Sequence, residues 1–273
     1  MAMDVSERSI NELRECYFRR QQPVPDRLLD ALGRDPRQGA QRLARMLWQR
    51  RLKIQKENLR LQKMLRFESE LLEKGFRFIA GVDEAGMAPL AGPVVAAAVI
   101  LPPGYTLAGL DDSKKIPDEA KRLRLAIQIK HDAVCWAVGR AEADEIDRIN
   151  IYQSGLLAMH RAVAGLTTSP DYVLVDARTI PHCACPQRGI IHGDALSASI
   201  AAASILAKTT RDNHMNEMDR LYAGYGFASH KGYPTPEHLR VLKERGPLPI
   251  HRRTFGPVRE ALSPSTGQKK LFE

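Results

Sequence analysis

Two hydrophobic patterns succeed each other along the chain. From Gln38 onward, apolar side chains recur at spacings of four and seven residues, which is typical of one face of a long α-helix. The apolar positions of this stripe are Leu43, Leu47, Ile54, Leu61 and Leu65. From about residue 74, short runs rich in valine and alanine alternate with turn residues, a pattern that indicates strands. We therefore predict a helical extension over residues 1–73, an α/β domain over residues 74–262 and a polar tail over residues 263–273.

The α/β domain is predicted to contain one mixed sheet covered by helices. Three strands come first, with tight turns and short connections that suggest an antiparallel meander, and two more strands then alternate with helices. The predicted strands are residues 78–83, 94–101, 133–140, 172–176 and 189–192, and the predicted helices are residues 153–164, 197–222 and 236–245. Ser197 is expected to cap the longest helix, because its side chain can accept a hydrogen bond from the first turn.

The composition narrows the class of protein. Of 273 residues, 44% are hydrophobic and 27% are charged, which is ordinary for a soluble globular protein. No apolar run approaches the length that spans a bilayer, and the polar residues 1–9 hold no signal-peptide core. We therefore expect a cytoplasmic protein without a membrane partner. The four cysteines lack the paired spacing of a structural zinc site.

The distribution of charge adds a candidate surface. The formal net charge is +9, and residues 34–66 contain eleven basic residues against two acids, Asp35 and Glu57. The basic residues that lie on the helix face opposite the apolar stripe are Arg45, Lys53, Lys56, Arg60 and Lys63. This imbalance favours contact with phosphates over a merely solvated face, on which both signs usually mix. A helix that only supports the α/β domain remains the alternative.

Four carboxylates stand at the ends of predicted strands. Asp83 and Glu84 close the first strand, Asp176 closes the fourth and Asp194 follows the fifth. Carboxylates that converge at one sheet edge repel one another unless a cation neutralises them, and oxygen ligands suit Mg²⁺ or Mn²⁺. Two such ions can activate a water and stabilise the leaving oxygen of a phosphodiester. Neighbouring strand residues point to opposite faces, so Asp83 and Glu84 reach one site only if the strand ends or twists there, and the spacing alone leaves turn or capping roles open.

A series of short motifs runs through residues 74–259. In chain order they include residues 81–86 (GVDEAG), 89–95 (PLAGPVV), 112–115 (DSKK), 173–176 (VLVD), 193–195 (GDA), 200–212, 230–233 (HKGY) and 249–253 (PIHRR). Together they resemble the type 2 ribonucleases H, and specifically the bacterial ribonuclease HII family. The resemblance implies a ribonuclease H-like fold: a mixed five-stranded sheet flanked by helices, with an N-terminal helical extension.

The resemblance also implies an activity. Members of this family are metal-dependent endoribonucleases that hydrolyse the phosphodiester on the 5′ side of a ribonucleotide, in RNA–DNA hybrids or in duplex DNA with embedded ribonucleotides. The products carry 5′-phosphate and 3′-hydroxyl ends, and the setting is DNA replication and ribonucleotide excision repair. Asp83, Glu84, Asp176 and Asp194 match the four acidic residues that catalyse the reaction and hold Mg²⁺ or Mn²⁺ in a two-metal mechanism.

Further positions match residues that contact nucleic acid in the family. They are Gly86, Met87 and Ala88 in the loop that reads the 2′-hydroxyl, Ser113 and Lys114 in a second loop, Lys208 and Arg211 on a helix, and Tyr233, which packs on a sugar. The chain departs from the family where Gly86-Met87-Ala88 replaces Gly-Arg-Gly, and where Ala177 replaces a glycine. Met87 cannot make a charge-assisted contact with phosphate, and Ala88 restricts the backbone.

Both termini have their own resemblances. Residues 37–68 are similar to an extension of some bacterial members, where it helps to hold the substrate. The tail residues Gln268, Leu271 and Phe272 resemble the short peptide by which replication and repair proteins bind the sliding clamp.

Two other functions compete with the active nuclease. One is a hybrid-binding protein that cuts poorly or with altered junction specificity, because its sensing loop is changed at Met87 and Ala88. The intact acidic set argues against it, since unneutralised carboxylates would repel the substrate. The other is a different nuclease of the same broad fold, such as a resolvase, and the motifs after Asp194 argue against that. His192, His230 and His251 lie near motif residues, and we assign none of them a catalytic role.

Overall fold

A computed structural model describes residues 8–20 and 22–263, and the chain divides into two units between Arg60 and Leu61. This division falls earlier than residue 73, because Leu61, Met64 and Phe67 are buried in the cores of the second unit. Among the described residues, no helix combines the length and the apolar character that a membrane crossing requires. The residues for which we predict clamp binding, Gln268, Leu271 and Phe272, lie outside the described ranges, so that prediction stays open.

The described elements are twelve α-helices, five strands and two short helical turns. The α-helices are α1 Ile10–Arg14, α2 Asp26–Arg34, α3 Gln38–Met64, α4 Arg66–Glu73, α5 Glu119–Asp132, α6 Ala143–Ile149, α7 Ile151–Ala164, α8 Gly193–Leu196, α9 Ala198–Leu221, α10 Phe227–His230, α11 Pro236–Arg245 and α12 Gly256–Leu262. The strands are β1 Ile79–Ala85, β2 Val94–Ile100, β3 Cys135–Ala141, β4 Tyr172–Asp176 and β5 Gln187–Ile190. A π-helical turn covers Glu15–Arg19, and a 3₁₀ turn covers Ser113–Lys115.

The first unit buries a small core between α1, α2 and the first half of α3. Leu43 and Leu47 are in this core, as the stripe of apolar residues predicts. Ile54 belongs to the same predicted stripe but is 48% exposed, because it lies beyond the part of α3 that the short helices cover. On the opposite face of α3, Lys53 and Lys56 are exposed.

The second unit is built on the predicted mixed five-stranded sheet. Its strand order is β3-β2-β1-β4-β5. β1 and β2 pair antiparallel, as do β2 and β3, whereas β1 pairs parallel with β4 and β4 with β5. The parallel order places the carboxyl ends of β1, β4 and β5 at the same edge of the sheet.

Helices cover both faces of the sheet, α9 on one and α7 on the other. Gly81 of β1 lets α9 lie directly on the strand, since a Cβ there would be 2.1 Å from the carbonyl carbon of Ser199. Gly139 of β3 does the same for α7, because a Cβ would be 2.1 Å from the carbonyl oxygen of Ala158. These two contacts fix how closely the helices approach the strands, and hence how their side chains line the sheet edge.

A buried carboxylate fixes the start of α9. Glu68 of α4 accepts hydrogen bonds from the hydroxyls of Ser197 and Ser199, at 2.6 and 2.7 Å, and from the amide of Ser199 at 3.0 Å. The N-terminus of a helix carries partial positive charge, so a carboxylate is stabilising there. The predicted cap is also confirmed, because Ser197 Oγ accepts from the amide of Ile200.

Two local expectations were wrong. The connection from β2 to β3 is not a tight turn, because it contains the 14-residue helix α5, whose weak amphipathic pattern the sequence reading passed over. The last strand ends at Ile190 and not at residue 192, because His192 adopts φ +57° and turns the chain into α8.

The close approach of α9 to β1 leads to a first prediction. We expect Gly81→Ala to destabilise the protein by about 3 kcal/mol, since the added carbon collides with backbone atoms that cannot move independently. Urea unfolding should be compared with that of Gly256→Ala, where no atom lies within 4 Å of the added carbon and the change should stay below about 1 kcal/mol. Equal effects of the two substitutions would contradict this account of the packing.

Candidate metal centre and nucleic-acid interface

Three of the four predicted carboxylates meet at the sheet edge. Asp83, Asp176 and Asp194 each offer a ligand oxygen, and these oxygens all lie within 4.8 Å of one another. β1 and β4 are paired in parallel up to Val82 and Val175, so the next residue of each strand is one of these aspartates. Asp194 joins them from α8, directly after the strand that neighbours β4.

Backbone contacts fix the positions of these side chains. The Asp83 carboxylate accepts a hydrogen bond from the amide of Glu84 at 2.7 Å, and the Asp176 carboxylate accepts one from the amide of Gly193 at 2.8 Å. A Cβ on Gly193 would be 2.6 Å from the side chain of Ile200. The same Cβ would be 3.3 Å from the Asp176 carboxylate. Glycine therefore lets the start of α8 lie close to both α9 and the end of β4, where Asp194 joins the other two aspartates.

Glu84 is not a member of the group of three. Successive strand residues point to opposite faces, and β1 continues to Ala85, so Glu84 does not share the orientation of Asp83. Its carboxylate lies beside Arg178 instead, with Oε1 3.3 Å from Nη2 of that arginine. The sequence reading anticipated this difficulty, and the structure places Glu84 at the margin of the group.

The electrostatics of the group match a cation site. Burial raises the pKa of Asp83 well above its usual range, and Glu84 and Asp176 raise it further. Burial also raises the pKa of Asp194, as does the neighbouring Asp112, while Lys114 opposes the change. Like charges so close in a buried place are costly, and a divalent cation relieves that cost. An all-carboxylate oxygen set fits a hard divalent ion.

A cleft adjoins the three aspartates on the side of Glu84. Every residue predicted to contact nucleic acid lines it, and the complete lining is Glu84, Ala85, Gly86, Met87, Ala88, Ser113, Lys114, Ser204, Lys208, Arg211 and Tyr233. The structure thus brings the residues of four separate motifs to one surface. Their contact with nucleic acid remains a prediction.

Two buried arginines hold the loop after β1. Arg252 donates hydrogen bonds to the carbonyls of Gly86, Met87 and Gly92, at distances between 2.6 and 3.1 Å. Arg211 donates to three other carbonyls, those of Ala91, Pro93 and Lys231. Arg211 is only 1% exposed, and its hydrogen bonds position these loops, while its contact with nucleic acid stays a prediction. The sequence reading missed Arg252, because nothing local shows that its side chain is buried.

Three buried histidines hold the backbone that carries Tyr233. The amide of Leu248 donates to Nδ1 of His251, so His251 presents an Nε2–H to Nε2 of His238 at 3.1 Å. His238 then has its proton on Nδ1, which lies 2.9 Å from the carbonyl of Tyr233. His230 accepts from the amide of Gly232 and stacks on His238. Both nitrogens of each ring therefore have a partner, since Nε2 of His230 also lies 2.8 Å from the carbonyl of Tyr225. His238 is a positioning residue that the sequence reading missed.

The second loop of the cleft is fixed by Asp112 and Ser204. Asp112 accepts a hydrogen bond from the amide of Lys114 at 2.8 Å, and Ser204 donates to the hydroxyl of Ser113 at 2.9 Å. The Lys114 ammonium is 3.6 Å from the Asp194 carboxylate, and its side chain is largely exposed. The Lys208 ammonium is paired with Asp212 at 2.7 Å. Lys114 therefore stands beside the three aspartates, whereas the charge of Lys208 is balanced by Asp212.

Both parts of the chain match models of one protein family. Residues 80–258 match the model of ribonuclease HII, and residues 9–72 match the model of the ribonuclease HII N-terminal domain. Ribonuclease HII of Myxococcus xanthus (strain DK1622) is 64% identical over 95% of this chain and 88% of its own length. Ribonuclease HII of Anaeromyxobacter sp. (strain Fw109-5) is 56% identical over 98% of this chain and 85% of its own length.

Solved structures give the same result for the fold. The crystal structure of the ribonuclease H2 from Pyrococcus horikoshii OT3 aligns with a TM-score of 0.56 at 25% identity, covering 67% of this chain and 96% of that chain. The resemblance drawn from the motifs and the ribonuclease H-like fold are both confirmed by these matches.

The buried aspartates lead to a second prediction. A carboxyl with a raised pKa contributes stability below its ordinary pKa and loses that contribution as the pH rises through the raised value. At neutral pH, Asp83→Asn should therefore stabilise the metal-free protein by roughly 1 kcal/mol, because it removes a buried carboxyl whose charged form is disfavoured by burial and by the neighbouring Glu84 and Asp176. The gain should be larger at pH 8 than at pH 5 in thermal unfolding with a chelator.

The exposed Asp144 of α6 provides the control for this measurement. Asp144→Asn removes the same charge where solvent surrounds it, and it should bring no stabilisation. If Asp83→Asn also fails to stabilise the metal-free protein at pH 8, the three aspartates do not repel one another as described.

Proposed function

Because the chain belongs to the ribonuclease HII family, we propose that it hydrolyses the phosphodiester on the 5′ side of ribonucleotides in RNA–DNA hybrids and in duplex DNA with embedded ribonucleotides. It is a metal-dependent endoribonuclease of the ribonuclease H type. The proposal includes products with 5′-phosphate and 3′-hydroxyl ends, and a part in DNA replication and ribonucleotide excision repair. The observation that carries it is the convergence of Asp83, Asp176 and Asp194 beside a cleft lined by basic and aromatic side chains.

Asp83, Asp176 and Asp194 would hold divalent cations, with Glu84 at their margin. The oxygen-only ligand set favours Mg²⁺ or Mn²⁺. A pair of such ions, held by these carboxylates, would supply activation of the attacking water and stabilisation of the leaving oxygen of the phosphodiester. The protein contributes the fixed directions of its carboxylates, which come from backbone hydrogen bonds to Asp83 and Asp176.

The cleft residues would bind and orient the substrate. The ammonium groups of Lys114 and Lys208 at the rim attract the phosphates of the strand to be cut. The ring of Tyr233 is 40% exposed toward the cleft, where it can pack on a sugar that lacks a 2′-hydroxyl. The hydroxyl of Ser113 is held in place by Ser204 for a contact to the backbone.

The alternative is a hybrid-binding protein whose junction specificity is changed by Met87 and Ala88. Recognition of the 2′-hydroxyl by this loop uses backbone groups, and the loop is held by buried Arg252, which donates to the carbonyls of Gly86 and Met87. These bonds do not depend on the side chain at position 87. Because Arg252 fixes the loop backbone whatever side chain stands at position 87, we expect the loop to keep its recognition of the ribonucleotide.

The basic face of α3 would add affinity. Arg45, Lys53 and Lys56 are exposed on one side of the helix. Lys and Arg that neutralise phosphates release counterions, which gives affinity without sequence preference. We propose that the N-terminal unit holds the duplex in this way.

Cleavage mapping tests the proposed activity directly. One labelled duplex carries a single embedded ribonucleotide, and the other is a continuous RNA–DNA hybrid; each is incubated with Mg²⁺ and separately with Mn²⁺. We expect both to be cut, the first on the 5′ side of the ribonucleotide, while Asp194→Asn binds duplex but cuts neither. Cutting of the hybrid alone would support altered specificity, and wild-type rates in Asp194→Asn would refute the site.

The basic face requires a separate test. Replacing Arg45, Lys53 and Lys56 by glutamine should weaken duplex binding and lower the slope of log affinity against log salt by about 0.9 for each lost phosphate contact. Deletion of residues 1–60 should have a similar or larger effect. A deletion to residue 72 is a poorer choice, because it removes the buried Glu68. An unchanged salt slope in the substituted protein would leave α3 with a supporting role only.

A further inference from the structure

The turn after Asp176 directs one arginine toward the metal centre. Ala177 has φ +50°, and its amide donates to the carbonyl of Ile190 at 2.9 Å. The backbone of the next residue, Arg178, passes close to β5, where a Cβ on Gly189 would be 2.7 Å from the Arg178 carbonyl oxygen. This tight turn brings the side chain of Arg178 back to Glu84 on β1.

Only part of the Arg178 guanidinium has a polar partner among the described residues. Its Nη2 lies 3.3 Å from Glu84 Oε1, and its Cζ lies 5.2 Å from the centre of the Tyr152 ring. Its Nη1 is buried and has no hydrogen-bond partner among the described residues, and the same holds for Oε2 of Glu84. Removing one member of a buried ion pair is strongly destabilising, so each group depends on the other.

Gly155 of α7 makes room for this pair. A Cβ at that position would be 2.6 Å from Arg178 Nη1 and 3.1 Å from Met87 Sδ. The side chains of Arg178 and Met87 therefore share the space above one glycine. A second cation at position 87 would stand beside Arg178 in a poorly solvated place, where like charges repel strongly. The uncharged Met87 can share this space with Arg178 without repelling the guanidinium. We call the space above Gly155, which is bounded by Met87, the seat of Arg178.

We propose that Arg178 is a positioning residue for Glu84, which holds that carboxylate at the margin of the three aspartates, and that Gly155 and Met87 form its seat. This inference rests on the proposed function, because it assigns Glu84 to the same metal centre. Burial raises the pKa of Glu84, and the neighbouring Arg178 guanidinium acts in the opposite direction by favouring the charged carboxylate. A cation held by the aspartates would compete with Arg178 for this carboxylate.

Metal binding tests the pairing without any measurement of cleavage. Calorimetric titration with Mn²⁺ compares the wild type, Arg178→Gln, Glu84→Gln and the double variant. In the presence of Glu84, Arg178→Gln should raise the Mn²⁺ affinity by at least about threefold, because the carboxylate is released to the aspartates. In the Glu84→Gln background the same substitution should have little effect. An equal gain in both backgrounds would mean a general charge effect and overturn the proposal.

Arg188→Gln is the matched control. Arg188 lies on β5 and pairs with Glu70 at 3.8 Å, so its loss removes the same charge away from the pair of interest. Arg178→Lys keeps the charge and should stay near the wild-type affinity, and it provides a readout if Arg178→Gln does not fold. A threefold gain in Arg188→Gln, or in Arg178→Lys, would count against the proposal.

The shared seat has its own test in the metal-free protein. Met87→Arg should lower the melting temperature with a chelator by at least about 3 °C in the wild type, and clearly less in the Arg178→Gln background. The same loss in both backgrounds would show that the two side chains do not share a seat. These measurements stay informative if no cleavage is found, because the stability coupling between positions 87 and 178 needs neither substrate nor metal.

Discussion

Three carboxylates held within 4.8 Å of one another, in a buried place, are the constraint on which the rest of the second unit depends. Such a group is unfavourable for the fold on its own, and rigid elements must bring it together. Parallel pairing of β1 with β4 aligns Asp83 and Asp176, and the missing side chains of Gly81 and Gly193 let helices close over the edge. The sheet topology and the small residues at the helix contacts serve this convergence.

Around the carboxylates, the cleft is shaped mainly by buried polar side chains that bind loop backbone. Arg211 and Arg252 donate hydrogen bonds to five carbonyls of the loop after β1. The hydrogen-bonded pair of His251 and His238 ends on the carbonyl of Tyr233. Groups of this kind fix loop geometry without contacting the substrate themselves. A loop restrained through its carbonyls can tolerate a change of side chain, which is why Met87 is compatible with an otherwise complete site.

Much of this architecture is predictable from the sequence, and what is not predictable depends on distant parts of the chain. Strand ends with acidic residues and the motif order predict the sheet, the convergence of Asp83, Asp176 and Asp194, and eight of the residues that line the cleft. Glu84 points away from Asp83 because β1 continues to Ala85 and successive side chains of a strand lie on opposite faces. No local signal in the sequence shows that the strand continues that far. Arg252 and Arg178 look like ordinary surface arginines until the fold buries them, and Ile54 loses its expected cover because the helices packed on α3 are short.

The position of Glu68 has a consequence for how such proteins can diversify. It lies within the stretch that matches the N-terminal domain of the family, yet its carboxylate satisfies the donors at the start of the longest helix of the catalytic fold. The stretch is therefore not a removable module, whatever else it binds. A relative without this stretch would need another hydrogen-bond acceptor for Ser197 and Ser199. Where the stretch is present, the start of the longest helix depends on it for that acceptor.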